Sequence, residues 1–143
     1  MRPLRLDLWL PPLLLMGAIF FLSDQPSLDS GLGTIDLIGR KLIHFAEYAL
    51  LCFLWWRALV TVTSPGRAAL LAFLVASGYA ATDEYHQTFV DGRHGTPVDV
   101  LIDLAGMTTA ALLIRRLGPP ADSRPLAPEG RVGERLDRAR QPG

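Results

Sequence analysis

Long apolar segments, separated by shorter polar stretches, make up most of this chain. Four apolar segments run over about Leu8–Leu22, Leu42–Val60, Ala68–Ala81 and Val98–Ile114. A soluble amphipathic helix carries a polar stripe along its whole length, but the first segment has no charged residue and the third offers only Ser77 and Tyr79. The pattern therefore predicts an all-α, polytopic membrane protein with four transmembrane helices in an antiparallel bundle.

Residues that start and break helices set the predicted boundaries at about 6–23, 40–61, 66–87 and 97–116. Pro65 and Pro97 suit the first turn of a helix, where the N–H that proline lacks would be unpaired anyway. After Leu117 the chain is rich in Pro, Gly and charged residues and has too little apolar surface to fold. The prediction is one domain over 1–117 and a disordered cytoplasmic tail over 118–143.

Basic residues are divided unequally between the two sides of the predicted bundle. One side receives Arg2, Arg5, Arg57, Arg67, Arg115 and Arg116, and the other receives Arg40, Lys41 and Arg93. The positive-inside rule therefore predicts that both termini lie in the cytoplasm. Because the formal net charge of the 143 residues is zero, nothing favours nucleic acid as a partner. The lipid bilayer is the expected partner, and the oligomeric state stays open.

The predicted external side collects the residues that could carry chemistry. Charge at membrane depth is costly and marks a functional site by default. The residues concerned are Ser23 and Gln25 after the first helix, Lys41, His44 and Glu47 in the second, Asp83, Glu84, Tyr85, His86 and Gln87 at the end of the third, Arg93 in the outer loop, and Asp99 and Asp103 in the fourth. Antiparallel helices would bring all of them to one end of the bundle.

Their chemistry suggests a role for each of these residues. In a catalytic version, Glu47 or Asp83 would act as a general base and His44 would move the proton. The predicted ligand-binding set is Ser23, Gln25, Lys41, Glu84, Gln87, Arg93 and Asp99. Arg93 suits an anion clamp because a guanidinium grips phosphate or carboxylate with two hydrogen bonds, although it could equally hold Asp99. No cofactor is predicted, and with no clear nucleophile the sequence leaves open whether the protein is an enzyme.

Two other interpretations of the same cluster remain. The pairs His44-x-x-Glu47 and Asp83-x-x-His86 on two helices, with Asp99 and Asp103 on a third, resemble the ligand sets of carboxylate–histidine di-metal bundles, although those use Glu-x-x-His pairs near mid-helix. The other interpretation is a non-enzymatic structural or assembly partner, in which opposite charges neutralise one another.

Four motifs occur in order over about residues 10–115. They are Phe21-Leu22-Ser23-Asp24-Gln25-Pro26, Lys41-x-x-His44-Phe45, Asp83-Glu84-x-x-Gln87-x-Phe89-x-x-Gly92-Arg93 and Asp99-x-x-x-Asp103-x-x-Gly106. In combination they resemble the VanZ-like family of small bacterial integral membrane proteins. Two positions depart from the family pattern. Arg40 stands where the family often has Asp, and Asp103 stands where it usually has Asn.

The resemblance implies a multi-pass protein of the bacterial inner membrane, in a family named after a protein associated with teicoplanin resistance. Most members of that family have no assigned activity, so the resemblance does not imply a particular reaction for this protein. The leading interpretation is a membrane protein whose outer-facing polar pocket binds, and in a catalytic version modifies, a lipid-linked or cell-envelope component. Because Asp103 departs from the family pattern, no family role is transferred to it.

Overall fold

The protein is described here from a computed structural model, which covers residues 6–25, 33–93 and 96–118. These residues form four helices and, within the described ranges, no strand. The helices are α1 (Leu6–Ser23), α2 (Thr34–Leu59), α3 (Pro65–Gln87) and α4 (Pro97–Leu117). This confirms the all-α class with four helices. The predicted disordered tail over 118–143 lies outside the described residues, apart from Gly118.

Local sequence explains where the helices begin and end. Gly33 has a positive φ of 53° and turns the chain directly before α2, so that helix begins at Thr34 instead of near residue 40. Pro65 and Pro97 stand at the starts of α3 and α4, as their restricted φ favours. Gly118, with a φ of 71°, ends α4 in a conformation that glycine adopts at little cost.

Contacts between side chains fix the directions of the helices. Near the start of α1, Trp9 meets Trp55 from the last turns of α2, with ring centroids 6.1 Å apart. At the opposite end, Lys41 near the start of α2 meets Asp99 at the start of α4. Consecutive helices are therefore antiparallel, and α2 contacts all three others. We call the end where α1 and α3 finish and α2 and α4 begin the polar end.

A stripe of small residues on α3 allows the helices to pack closely. Its four alanines, Ala68, Ala72, Ala76 and Ala80, are spaced four residues apart and are completely buried, so they line one face of the helix. They pack in a core with Tyr48, Leu51, Cys52 and Trp56 of α2 and with Met107, Ala110 and Ile114 of α4. Small residues bring backbones close enough for extensive van der Waals contact, which is what holds helices together in lipid.

The closest approach of two helices lies between α2 and α4, at Gly106. A Cβ atom added to Gly106 would collide with the backbone carbonyl oxygen of Phe45. By contrast, a Cβ added to Gly17 or Gly78 would meet no atom within 4 Å. Gly106 lies three residues after Asp103 on the same side of α4, so this contact also sets the position of Asp103 against α2.

The outer surface of the bundle is largely apolar. Exposed large apolar side chains include Leu13, Phe20 and Phe21 of α1, Leu42 and Leu50 of α2, Leu70 and Leu74 of α3, and Leu101, Leu112 and Leu113 of α4. Among the described helices, α1 and α4 are long and apolar enough to cross a membrane, by length and composition, and both are mostly exposed. Since α2 and α3 do not pass that test, the four-span arrangement stays a prediction.

Candidate functional site

A network of ion pairs and hydrogen bonds joins α2, α3 and α4 at the polar end. Lys41 Nζ lies 2.8 Å from Asp99 Oδ1, with the two side chains 32% and 20% exposed. The Thr96 hydroxyl donates to Asp99 Oδ2 at 2.6 Å and accepts from the Asp99 backbone N–H at 3.3 Å. Thr96 is thus the N-cap of α4, and Asp99 both completes the cap and holds Lys41.

Glu84 brings the end of α3 into the same network. Its Oε2 accepts a hydrogen bond from the backbone N–H of Thr96 at 3.1 Å. Its Oε1 lies 3.7 Å from His44 Nδ1, and the same nitrogen lies 3.3 Å from Asp103 Oδ1. One imidazole nitrogen therefore faces two carboxyl groups that come from two different helices.

We call His44, Glu84 and Asp103 the acid–histidine cluster. One ligand-type atom from each residue lies within 4.8 Å of the others. The side chains of Asp103 and Glu84 are 0% and 6% exposed, and that of His44 is 16% exposed. Yet His44 Nδ1, Glu84 Oε1 and both Asp103 oxygens have no well-aligned hydrogen-bond partner among the described residues. Buried polar atoms normally have partners, so each exception requires an explanation.

A second network joins α1, α2 and α3 beside the first. Tyr48 donates its hydroxyl to Asp83 Oδ2 at 3.1 Å, and Gln87 Nε2 donates to the same oxygen at 3.2 Å. Gln87 also approaches the Ser23 hydroxyl at 3.4 Å. Ser23, Tyr48, Asp83 and Gln87 are all buried. These donors stabilise Asp83, so this network resembles a structural connection more than an open binding site.

Arg93 lies at the end of α1. Its Nε donates to the carbonyl oxygen of Gln25 at 2.8 Å, and its Nη2 donates to that of Leu22 at 2.7 Å. The last carbonyl groups of a helix have no partner within the helix. Arg93 provides a donor for one of them, at Leu22, and for the carbonyl group of Gln25, two residues after α1 ends. A guanidinium has five N–H groups, so three remain for other acceptors. The anion-clamp role of Arg93 therefore stays a prediction.

The remaining predicted site residues lie at the edges of these networks. Gln25 bonds through its side chain to the carbonyl oxygen of Phe21, at the exposed end of α1. Glu47 is half-buried and within electrostatic range of His44, Asp83 and Asp103. The catalytic roles considered for Glu47, Asp83 and His44 stay predictions, as do the ligand-binding roles of Ser23, Gln25, Lys41, Glu84, Gln87, Arg93 and Asp99.

The structure brings together a different candidate metal set from the one that the sequence suggested. His86 Nε2 lies 3.1 Å from Asp24 Oδ1, and its ring lies against Phe20 with centroids 4.8 Å apart. It thus faces α1. Among the described residues, the group whose ligand atoms converge is the acid–histidine cluster. It keeps His44 and Asp103 of the predicted set and adds Glu84, without Glu47, Asp83, His86 or Asp99.

Sequence reasoning did not find Thr96, which connects Glu84 to Asp99. A signal for it exists, because Thr96-Pro97-Val98-Asp99 is close to the capping-box pattern, with an acidic residue three positions after the cap. The Tyr48 hydroxyl was also missed as the partner of Asp83. No sequence pattern identifies that pair, since the two residues lie 35 positions apart on different helices.

Comparison with known proteins completes the description. The model of the VanZ/LLP1 family matches residues 8–118, which is most of the chain. The protein belongs to the VanZ/LLP1 family. This confirms the family resemblance and, with two helices able to cross a membrane, indicates that this VanZ/LLP1 protein is a membrane protein. No curated protein and no solved structure matches the chain significantly.

Proposed function

We propose that this VanZ/LLP1 protein crosses the bacterial inner membrane four times, with both termini in the cytoplasm and the polar end outside. At 1.5 Å per residue, the 26 residues of α2 and 23 of α3 extend about 39 Å and 35 Å, more than the roughly 30 Å of hydrocarbon. Aromatic side chains lie at both ends, as interfacial anchors do. Trp9 and Trp55 meet at one end, and Tyr85 and Phe89, each 68% exposed, meet at the polar end.

Cysteine labelling tests this topology. In a Cys52→Ala background, Asp91→Cys in the outer turn should react in intact cells with a maleimide that cannot cross membranes. Ser64→Cys, in the turn between α2 and α3, should react only after the membrane is permeabilised. Both native residues are exposed, so accessibility within the fold is matched. The reverse result would show that the protein has the opposite orientation in the membrane. Equal labelling of both sites in intact cells would contradict the four-span arrangement.

We further propose that the polar end binds the polar head group of a lipid-linked or cell-envelope component. The observation that carries this is the set of unpartnered oxygens on Glu84 and Asp103 beside the partly exposed Lys41 and His44. A buried acceptor without a partner costs about 1–3 kcal/mol. A ligand that supplies hydrogen-bond donors at this position would remove that cost and so gain affinity.

The charges around the site indicate the kind of head group. Lys41 is already paired with Asp99, and Arg93 uses two of its five N–H groups on backbone carbonyls. The free acceptors belong to carboxyl groups. A head group that presents hydroxyl or ammonium donors, such as a sugar or an amino acid, therefore fits this end better than a bare phosphate. A connection with glycopeptide resistance is a hypothesis that rests on the family alone.

Native mass spectrometry of the protein released from mild detergent tests the binding proposal. We expect the wild type to retain a lipid or envelope-precursor mass, and Glu84→Gln to lose most of it. The glutamine keeps an oxygen for the Thr96 N–H but places an amide where a free carboxylate oxygen faces His44. The control is Asp24→Asn, which neutralises an exposed carboxylate at the same end of the bundle and should retain the ligand.

Two results would contradict the proposal. If Glu84→Gln retained the same mass as the wild type, the unpartnered oxygen of Glu84 would not belong to the binding site. A wild type that carried no ligand even after incubation with an envelope lipid extract would instead favour the structural or assembly role, in which the networks serve only to hold the helices.

A further inference from the structure

We propose that the acid–histidine cluster holds one divalent metal ion of the zinc or manganese type. The ligands would be Nδ1 of His44, a carboxylate oxygen of Glu84 and a carboxylate oxygen of Asp103. Each comes from a different helix, so the ion would connect α2, α3 and α4 at the polar end. The ion would take carboxylate oxygens that the binding proposal offers to a head group, so a hydroxyl of the head group would then reach the cluster by coordinating the ion. A protein that binds no lipid should still bind the metal.

The distances within the cluster fit such an ion. Metal–ligand bonds of about 2.1 Å in a tetrahedral arrangement place neighbouring ligand atoms roughly 3.4 Å apart. His44 Nδ1 lies 3.3 Å from Asp103 Oδ1 and 3.7 Å from Glu84 Oε1, and the ligand atoms of all three residues are within 4.8 Å of one another. Small side-chain adjustments suffice to bring all three atoms to bonding distance.

Unpartnered atoms provide a second, independent argument. Asp103 is completely buried, yet neither of its oxygens has a well-aligned hydrogen-bond donor among the described residues, and Glu84 Oε1 and His44 Nδ1 are in the same condition. A histidine that served only as a donor would align its N–H with one carboxylate. Here the imidazole nitrogen lies 3.3 Å from Asp103 Oδ1 and 3.7 Å from Glu84 Oε1 and aligns well with neither, an arrangement that fits three ligands around a shared ion.

The charge of the cluster also favours a divalent cation. As metal ligands, two ionised carboxylates and a neutral imidazole would carry a charge of about −2, and the nearby Lys41 is already paired with Asp99. Buried charge without compensation is very unfavourable. A single divalent ion neutralises both carboxylates at once. Imidazole suits zinc and carboxylates suit manganese, so a set of one imidazole and two carboxylates fits these ions better than magnesium or calcium, which prefer ligands that are all oxygen.

The surroundings hold the three ligands in place and leave one position free. The Thr96 N–H fixes the second oxygen of Glu84, which is how metal ligands are typically oriented by hydrogen bonds from outside the site. The close contact at Gly106 fixes Asp103 against α2. Three protein ligands leave a fourth coordination position open. His44 is partly exposed, so water or a ligand oxygen could reach that position from the side of His44.

Calorimetric titration of the full chain with Zn²⁺ tests the proposal, after chelator treatment and in mild detergent. We expect about one equivalent to bind to the wild type. Asp103→Asn and His44→Gln should each weaken binding by more than about a hundredfold, since even residues that only orient ligands cost 10–100-fold when they are changed. The matched control is His86→Gln, which removes a histidine at the same end and should leave the affinity unchanged.

Each outcome decides the matter. A wild type that binds no Zn²⁺ and no Mn²⁺ would overturn the proposal, and the cluster would then be neutralised by a proton. Equal losses in His86→Gln and His44→Gln would mean that the ion binds elsewhere. Size-exclusion chromatography identifies any variant that fails to fold. Since the wild-type titration alone can refute the site, the test does not depend on the variants. Binding of the metal without retention of a lipid would separate this proposal from the binding function.

Discussion

Replacing Gly106 with leucine should destabilise the bundle more than any other single exchange on α4 that we consider. The Cβ alone would collide with the Phe45 carbonyl oxygen, so the new side chain cannot be accommodated by a rotamer change and α4 must move away from α2. Overpacking of this kind costs about 1–3 kcal/mol and occasionally more. We expect a loss of about 3 kcal/mol in the free energy of unfolding, measured by titration with SDS in mixed micelles.

The matched control for this exchange is Gly78→Leu. Gly78 is also a helical glycine, but it is exposed and a Cβ added there would meet no atom within 4 Å. Its replacement should change the free energy of unfolding by less than about 0.5 kcal/mol, as is usual for surface positions. Equal losses at the two positions would show that α2 and α4 do not approach as closely as described.

Displacement of α4 should also affect the site. Asp103 lies three residues before Gly106, so a shift of the helix moves its carboxylate away from His44. We therefore expect Gly106→Leu to lose metal affinity together with stability, whereas Gly78→Leu keeps both.

The gathering of polar residues at one end could be predicted from the sequence, but their pairing could not. Antiparallel helices bring Lys41, His44, Glu84 and Asp99 together whatever their exact contacts. The rotation of each helix about its axis decides the pairs, and the sequence does not fix it. Neighbouring residues point about 100° apart on a helix. Asp83 therefore joins Tyr48, while Glu84, the next residue, faces α4 and His44.

Contacts to the backbone were beyond sequence reasoning for a different reason. Arg93 donates to carbonyl groups at the end of α1, and a carbonyl group is present at every position whatever the side chain. Similarly, Gly17, Gly78 and Gly106 are equivalent as small residues in apolar segments. The helix contact that requires glycine at one of them depends on where the backbones approach, which only the packed structure defines.

The joint exchange of His44 and Asp103 for leucine should stabilise the metal-free protein. Asp103 is completely buried, its two oxygens have no well-aligned donor among the described residues, and its nearest charged neighbour is His44 Nδ1 at 3.3 Å. Replacing a whole buried ion pair with apolar side chains of similar size is often neutral or stabilising by 1–4 kcal/mol, whereas removing one partner alone is destabilising. In the presence of chelator, we therefore expect the free energy of unfolding of the double variant to rise by about 2 kcal/mol, measured by the same SDS titration.

Asp83→Leu is the matched control, because Asp83 is a buried aspartate with partners. Its Oδ2 accepts hydrogen bonds from Tyr48 and Gln87, and removal of the carboxylate would leave those buried donors unpaired. We expect this variant to lose about 2–4 kcal/mol, as the loss of two buried hydrogen bonds implies. The two changes should have opposite signs, because the double variant removes His44 and Asp103 together, whereas Asp83→Leu leaves the donors of Tyr48 and Gln87 without their acceptor.

Added Zn²⁺ should reverse the order of the wild type and the double variant. An ion that binds only the folded state stabilises it by about 2.7 kcal/mol at a hundred times its Kd, and the double variant has lost two ligands and gains nothing. If the double variant were instead destabilised in chelator by as much as Asp83→Leu, His44 and Asp103 would be a structural pair that the fold requires. A double variant that is more stable than the wild type in chelator and less stable in Zn²⁺ would show that the pair serves metal binding at a cost to stability.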